Sequence, residues 1–297
     1  MTTFRHLKIF ITVAECGTMR KAAEVLYISQ PSVSQAISEL EELYQVRLFD
    51  RLSRRIYITE AGRLLLSYAR QVIKTTESME ESMQRAGTMP IVRIGGSVTV
   101  GTVYLGGLTK RLEEAVPGID IRITVDNTAS VERQVLTSEL DLAVVEGMLS
   151  SEDLIRRTVC EDELVMVAGR DHPLSAARSL TLEDLQGQAL ISREAGSSER
   201  NQFEQLMADR NIRMTKKWHC TNTEAIKTAV IEGMGIAILS RRLITREEAA
   251  DLLRVLPLDP VSVRRCFKLI VHKDKVLPQA VRAFLESEVL PEEPPAT

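Results

Sequence analysis

Along the first forty-five residues apolar side chains return every three or four positions, in three short blocks. Phe4, Leu7, Phe10, Ile11 and Ala14 line one stripe of a helix over residues 3–15. Ala22, Ala23 and Leu26 mark a second helix, Met19 to Leu26, whose alanines allow close helix packing. Val33, Ala36, Ile37 and Leu40 mark a third. Gly17 ends the first helix, Thr18 caps the second, and Ser29 caps the third, with Pro31 in its first turn where a missing N–H costs nothing. Two short helices joined by a tight turn at Tyr27-Ile28, behind a supporting helix, form the helix-turn-helix pattern. The period then changes to two. Val46 and Leu48, then Ile56 and Ile58, alternate with polar residues around Asp50-Arg51-Leu52-Ser53-Arg54-Arg55, which predicts a hairpin, or wing, with an arginine-rich tip.

Thr59 caps a long helix predicted from about residue 60 to 86. Leu65, Ala69, Val72, Thr76, Met79, Met83 and Ala86 are spaced alternately by four and three. That is a heptad seam, read as a contact between two chains in preference to packing on its own domain. Gly87-Thr88-Met89-Pro90 stops the helix and sets a domain boundary. From residue 91 strands and helices alternate. "IVRIGGS", "IDIRITV", "DLAVVEG", "ELVMVAG", "ALISRE", "GIAIL" and "CFKLIVHK" read as strands. Residues 102–115, 130–138, 197–209, 223–233 and 278–289 read as helices. The pattern predicts an α/β unit with sheets covered by helices, following an all-α winged helix-turn-helix.

Composition narrows the function. A net charge of −3 gives the whole chain no lean toward nucleic acid or anionic membrane. Residues 1–60 hold eight Lys and Arg against seven Asp and Glu, so what positive charge there is collects in the wing. No apolar run is long enough for a membrane span, and "MTTFRHLKIF" lacks the apolar core and cleavage site of a signal peptide, which predicts a cytoplasmic protein. Cys16, Cys160, Cys220 and Cys266 are far apart and no His stands at ligand spacing from them, so no metal or cofactor is expected. There is no Gly-x-Ser-x-Gly elbow and no phosphate loop ending in Gly-Lys-Ser/Thr. An enzyme is not expected, and Glu161-Asp162-Glu163 reads as a solvated strand entry.

The outer side of the third helix is unusual. It carries Ser, Gln and Pro in place of the Lys and Glu of an ordinary solvated face. Small neutral groups let a helix approach base edges in the major groove, where Ser and Gln donate and accept hydrogen bonds. Candidate DNA contacts are therefore Ser29, Gln30, Pro31, Ser32, Ser34, Gln35 and Ser38 on this helix, with Arg20, Arg51, Arg54 and Arg55 gripping phosphate.

Ala22-Ala23, Ser29-Gln30-Pro31, Ser34, Leu40-Glu41, Leu48-Phe49, Arg51 and Thr59-Glu60-Ala61-Gly62 together resemble the N-terminal signature of LysR-type transcriptional regulators. Met19 stands where that pattern has an aromatic, Gln35 a basic residue and Gln45 a glycine. The resemblance implies a DNA-binding domain over 1–59, a dimerising linker helix over 60–88 and an effector domain over 89–297. It implies that the last is similar to type-2 periplasmic binding proteins, with two α/β lobes joined by crossing strands near Cys160-Glu161 and Cys266-Phe267. Lobe 1 then takes 91–161 and 267–297, and lobe 2 takes 162–266.

By the same resemblance an effector lies between the lobes, against Ser97, Val98, Thr99 and Thr128. "REAGSSER" is similar to a family motif and brings Arg193, Gly196, Ser197 and Ser198, with Ser198 in place of Gly and Glu199 in place of Thr. Asn222 and Thr223 begin another helix and add donors. Free N–H groups at such helix starts favour an anion, such as a carboxylate or inorganic ion. The implied partners are a pseudo-palindromic duplex, a small effector, further copies of the chain as homodimer or homotetramer, and RNA polymerase if the regulator activates; no membrane is implied. A redox switch at Cys160 or Cys266 is the alternative.

Overall fold

The computed structural model describes residues 1–52, 55–84, 91–258 and 263–288. The chain divides into two compact units, whose main sequence boundary falls at 90/91. The first contains α1 (Phe4–Cys16), α2 (Met19–Leu26), α3 (Gln30–Tyr44), the hairpin β1 (Phe49–Leu52) and β2 (Arg55–Ile58), and α4 (Glu60–Gln84). The side-chain oxygens of Thr3, Thr18 and Ser29 cap the first three helices by accepting from the N–H groups of His6, Lys21 and Ser32. One core takes the inner stripe of each helix, with Phe10, Val13, Ala22, Val33, Ile37 and Leu40 fully buried and the Phe10 ring 5.2 Å from that of Phe49.

Three signature residues hold the hairpin in place. The Glu41 carboxylate accepts from the N–H groups of Leu48 (2.7 Å) and Phe49 (3.2 Å), which fixes the strand entry. The Thr59 hydroxyl donates to the Arg47 carbonyl (2.7 Å) and accepts from the Gly62 N–H (3.0 Å). Gly62 lies directly over the Leu48 carbonyl, and a Cβ there would also stand 2.7 Å from Ile58 Cγ1. Strand pairing begins at Phe49 and not at Val46, because Gln45 ends α3 at φ 54 and leaves Val46 exposed.

The α4 seam differs from the heptad expectation. Ala69 is buried in the domain core, with Leu65 packed against it, whereas Val72, Met79 and Met83 are exposed and continue a row begun by Leu64 and Tyr68. The helix thus packs its first turns on its own domain and leaves an apolar row exposed along another face. Ala86 lies outside the described residues.

The second unit runs β3 (Ile91–Ser97), α5 (Val98–Val103), α6 (Leu105–Ala115), β4 (Asp120–Asp126), α7 (Thr128–Leu136), β5 (Leu142–Glu146), β6 (Leu154–Gly169), β7 (Ala189–Arg193), α8 (Ser198–Asp209), β8 (Thr215–Cys220), α9 (Thr223–Ile231), β9 (Ala237–Ser240), α10 (Thr245–Ala249), β10 (Leu253–Val255), β11 (Val263–His272) and α11 (Gln279–Ser287). The main sheet has the order β10-β6-β11-β5-β3-β4, with β9 also on β6, while β7 and β8 form a separate parallel pair. One α/β lobe is built on the parallel strands β3, β4 and β5. The second is built on the far half of β6 with β7 to β10. The long antiparallel strands β6 and β11 serve both. Leu164 and Met166 of β6 face one core and Val165 and Val167 another, so this strand is apolar on both sides.

Three expectations need correction. The helix read over 102–115 is two helices, broken at Tyr104, whose ring meets Phe267 edge-on. The strand read from Glu163 begins at Leu154; its first half lacks a hydrophobic alternation, with Arg156, Arg157 and Thr158 polar in succession. Strand β8 escapes the hydrophobic pattern because its side chains are almost all exposed and polar.

Asp162 is also not solvated. Its side chain is fully buried, accepting 2.7 Å from Arg265 Nε and 2.6 Å from the Ser240 hydroxyl. Arg265 is itself buried on β11, and its Nη1 and Nη2 stand 3.7 Å from Glu146 and Glu199 respectively. One guanidinium therefore gathers carboxylates from the end of β5, the middle of β6 and the start of α8. Buried charges persist only when paired in this way. The group cannot hold every carboxylate equally: burial pushes Glu146 up to about 7, with Arg265 offsetting part of the rise and the charge on Glu199 adding to it.

Gly62→Ala should destabilise the first unit by about 1–3 kcal/mol through overpacking against Leu48 and Ile58, measured by denaturant unfolding. For Glu146 the folded chain holds a proton that the unfolded chain has already released above the usual carboxylate range. Its contribution to stability therefore falls as pH rises through about 7. Glu146→Gln should lose less melting temperature than wild type between pH 5 and 8; identical pH slopes would mean that this carboxyl does not titrate there.

Candidate functional site

The α3 helix separates its residues by chemistry. Val33, Ala36, Ile37 and Leu40 are buried, Gln30, Pro31, Gln35 and Ser38 are exposed, and Ser32 and Ser34 are half-buried. Ser29 and Ser32 share a 2.8 Å hydroxyl contact at the cap. The Gln35 amide donates to Glu39 (2.9 Å), and Arg20 on α2 pairs with Glu24 (3.1 Å) with its side chain 87% exposed. Both are exposed side-chain pairs of low energetic worth, readily exchanged for another partner. Arg51 and Arg55 lie in β1 and β2, flanking the hairpin tip, but their side chains and the whole of Arg54 fall outside the described residues.

In the second unit the elements bring part of the expected set together. Ser97 ends β3 and caps α5, with its hydroxyl donating to Glu146. Thr99, two residues on, donates to Glu199 Oε1 at 2.7 Å. From the other lobe, Ser197 donates to Glu199 Oε2 (2.9 Å) and Arg193 Nη1 donates to the same atom (3.1 Å). Arg193 also holds Glu194 through two hydrogen bonds, at 2.8 and 3.0 Å. The lobes meet by backbone as well, the Ala129 N–H donating to the Gly196 carbonyl at 3.2 Å. Gly147 fits against α8 for want of a side chain: a Cβ there would meet the Ser198 hydroxyl and stand 2.8 Å from Ser198 Cβ.

Ser97, Thr99, Thr128, Arg193, Ser197, Ser198 and Glu199 are all buried where the lobes close. The hydroxyls of Thr128 and Ser198 have no hydrogen-bond partner among the described residues. Val98 is half-buried and apolar. Asn222 is exposed and committed to capping α9, accepting from Glu224 (2.9 Å) and Ala225 (3.3 Å), while Thr223 is buried with its hydroxyl unpaired among the described residues. Nothing described ties Val98, Asn222 or Thr223 to the Ser97–Glu199 group.

Burial alone would raise the Glu199 carboxyl, but Arg265, Arg193 and the hydroxyls of Thr99 and Ser197 outweigh it and hold it below the usual range. Glu146, Asp162, Glu199 and Arg265 are not among the expected site residues. Two signals are present: Glu199 departs from the family motif, and Glu146 is a carboxylate closing the apolar run of β5, and binding groups gather at the carboxyl ends of such strands. All four cysteines are free and half-buried. Cys160 Sγ stands 3.1 Å from Arg242 Nη2, yet burial pushes its thiol up, away from the thiolate a sensor needs.

The two units match two family models: the bacterial regulatory helix-turn-helix protein, lysR family, over residues 4–63, and the LysR substrate binding domain over 85–287. The chain is 32% identical to a probable RuBisCO transcriptional regulator of Synechocystis sp., over 98% of this chain and 86% of that one. It is 33% identical to the HTH-type transcriptional regulator YeiE of Escherichia coli, over 96% of each. Among solved structures, the Synechocystis CcmR regulatory domain in complex with 2-PG is similar at 26% identity and a TM-score of 0.63, covering 67% of this chain and 96% of that chain. HinK of Pseudomonas aeruginosa shares the fold at 24% identity and a TM-score of 0.57, over 97% of both. With the helix-turn-helix model matched over 4–63 and the LysR substrate binding domain over 85–287, which together take in most of its length, the chain belongs to the LysR family of transcriptional regulators.

Proposed function

We propose that this regulator reads a pseudo-palindromic duplex with α3 in the major groove and responds to a small effector held between its lobes. The observation that carries the reading is the division of the first turns of α3: Val33, Ala36 and Ile37 are consumed by the core, and the side that Gln30, Pro31, Ser34, Gln35 and Ser38 present is small, uncharged and rich in hydrogen-bonding groups, with Glu39 following beside Gln35. Gln35 and Ser34 discriminate bases, Arg20 and the wing arginines 51, 54 and 55 contact phosphate, and Ser29 and Ser32 set the start of the helix. Residues 1–59 form the reading domain, 60–88 the linker and 89–297 the effector domain.

The exposed row Leu64, Tyr68, Val72, Met79 and Met83 on α4 supports pairing of two copies, with a tetramer as a dimer of dimers. Two reading domains then meet two half-sites. The effector takes its position from Ser97, Thr99, Thr128, Arg193, Ser197 and Ser198. Donors outnumber apolar groups there, which favours an anionic or strongly polar molecule. Differential affinity for two arrangements of the lobes would then change how the paired domains grip DNA.

Gln35→Ala or Ser34→Ala should relax sequence preference in a gel-shift series, at about 1–3 kcal/mol for each hydrogen bond to a base that the substitution removes. Unchanged discrimination would count against the reading face. A thermal-shift panel of small carboxylates and phosphate esters on the full chain should find a stabilising compound whose effect disappears in Ser97→Ala. A compound indifferent to that change would place effector binding elsewhere.

A further inference from the structure

Four donors of the inter-lobe site already face a carboxylate: Ser97 donates to Glu146, and Thr99, Ser197 and Arg193 donate to Glu199. The Glu199 side chain, only 1% exposed, lies near the amino end of α8 with both oxygens in use. One accepts from Thr99 across the lobe boundary at 2.7 Å and stands 3.7 Å from Arg265 Nη2. The other accepts from Ser197 at 2.9 Å and Arg193 at 3.1 Å. Helix start, hydroxyls and two guanidiniums converge on a carboxylate that belongs to the chain itself. The surroundings also hold unused capacity: the terminal nitrogens of Arg265 and the hydroxyls of Thr128 and Ser198 make no hydrogen bond among the described residues. No salt bridge requires Glu199 for neutralisation alone. Arg193 keeps Glu194, and Arg265 keeps Asp162 and Glu146, if Glu199 leaves.

We propose that Glu199 is a tethered anion, a built-in competitor that occupies the anion position of the effector site and holds the lobes together without ligand. The inference rests on the reading that effectors bind between the lobes. An anionic effector then enters by displacing the Glu199 carboxylate from Thr99, Ser197 and Arg193, and takes up the free donors of Arg265 as it does so. Glu199 thereby sets the concentration threshold for response and rejects small anions, such as sulfate, that cannot displace a carboxylate of fixed high local concentration. A neutral residue at this position leaves the same donors open to any such anion.

The test titrates the full-length chain with sulfate and with inorganic phosphate by calorimetry, at ionic strength held constant with chloride. Glu199→Gln and Glu199→Thr should bind one or both anions at least tenfold more tightly than wild type. Glu161→Gln, the same charge change at an exposed site, should bind like wild type. Glu199→Asp keeps the charge on a shorter stem and should fall between wild type and Glu199→Gln, which preserves a comparison should the neutral variants unfold. Adding Thr99→Val to Glu199→Gln should abolish the gain. Equal anion affinity in wild type and all Glu199 variants would overturn the tethered anion while leaving the effector cleft to its own Ser97 test. A gain that survives Thr99→Val, or one shared by Glu161→Gln, would place the anion outside the cleft and overturn the inference.

Discussion

Arg265 carries a charge that water cannot reach, and the second unit is arranged around that fact. An unpaired guanidinium in such a place would cost several kcal/mol. The cost is offset by carboxylates arriving from three directions: Asp162 across the ladder, Glu146 from the neighbouring strand end in the first lobe, and Glu199 from the start of α8. The same contacts that make the charge tolerable hold two lobes in one arrangement. Fold and site are thus a single electrostatic problem here, and the carboxyl least well served, that of Glu146, is the one displaced upward.

The first unit solves a different problem by packing alone. A recognition helix must be rigid yet present nothing that blocks a groove. Buried Val33, Ala36, Ile37 and Leu40 supply the rigidity, while the exposed Gln30, Pro31, Gln35 and Ser38 take no part in the core. Glu41, Thr59 and Gly62 then lock the hairpin to the helices with contacts that depend on side-chain chemistry and size, not merely on hydrophobicity.

How far the sequence speaks depends on the range of the interaction. Helix starts at Thr18 and Ser29, the buried faces of α1 to α3 and the change to α/β alternation after residue 90 are local, and local periodicity reveals them. The inner face of α4 is less legible, because a heptad does not say whether its partner is the same chain or another. Leu65 and Ala69 take the former. Arg265 and Asp162 are opaque for a physical reason: they lie 103 positions apart, and each looks like an ordinary polar residue of a strand until the ladder sets them side by side. Glu199 stands in plain view as a departure from a family motif, but its meaning needs the distance to Thr99, 100 residues away in the chain.

The pairing of β6 with β11 has a mechanical consequence. Ten residues of β11 are in register with β6, from Val263 opposite Leu164 to His272 opposite Leu154. Sliding one strand along the other would break that whole row of bonds together, so the register that ties the lobes is fixed. The row is interrupted only between Phe267 and Lys268, where the register shifts. A bulge bends a strand and increases its local twist, so the two strands shared by the lobes are least regular at the point where the chain passes from one lobe to the other.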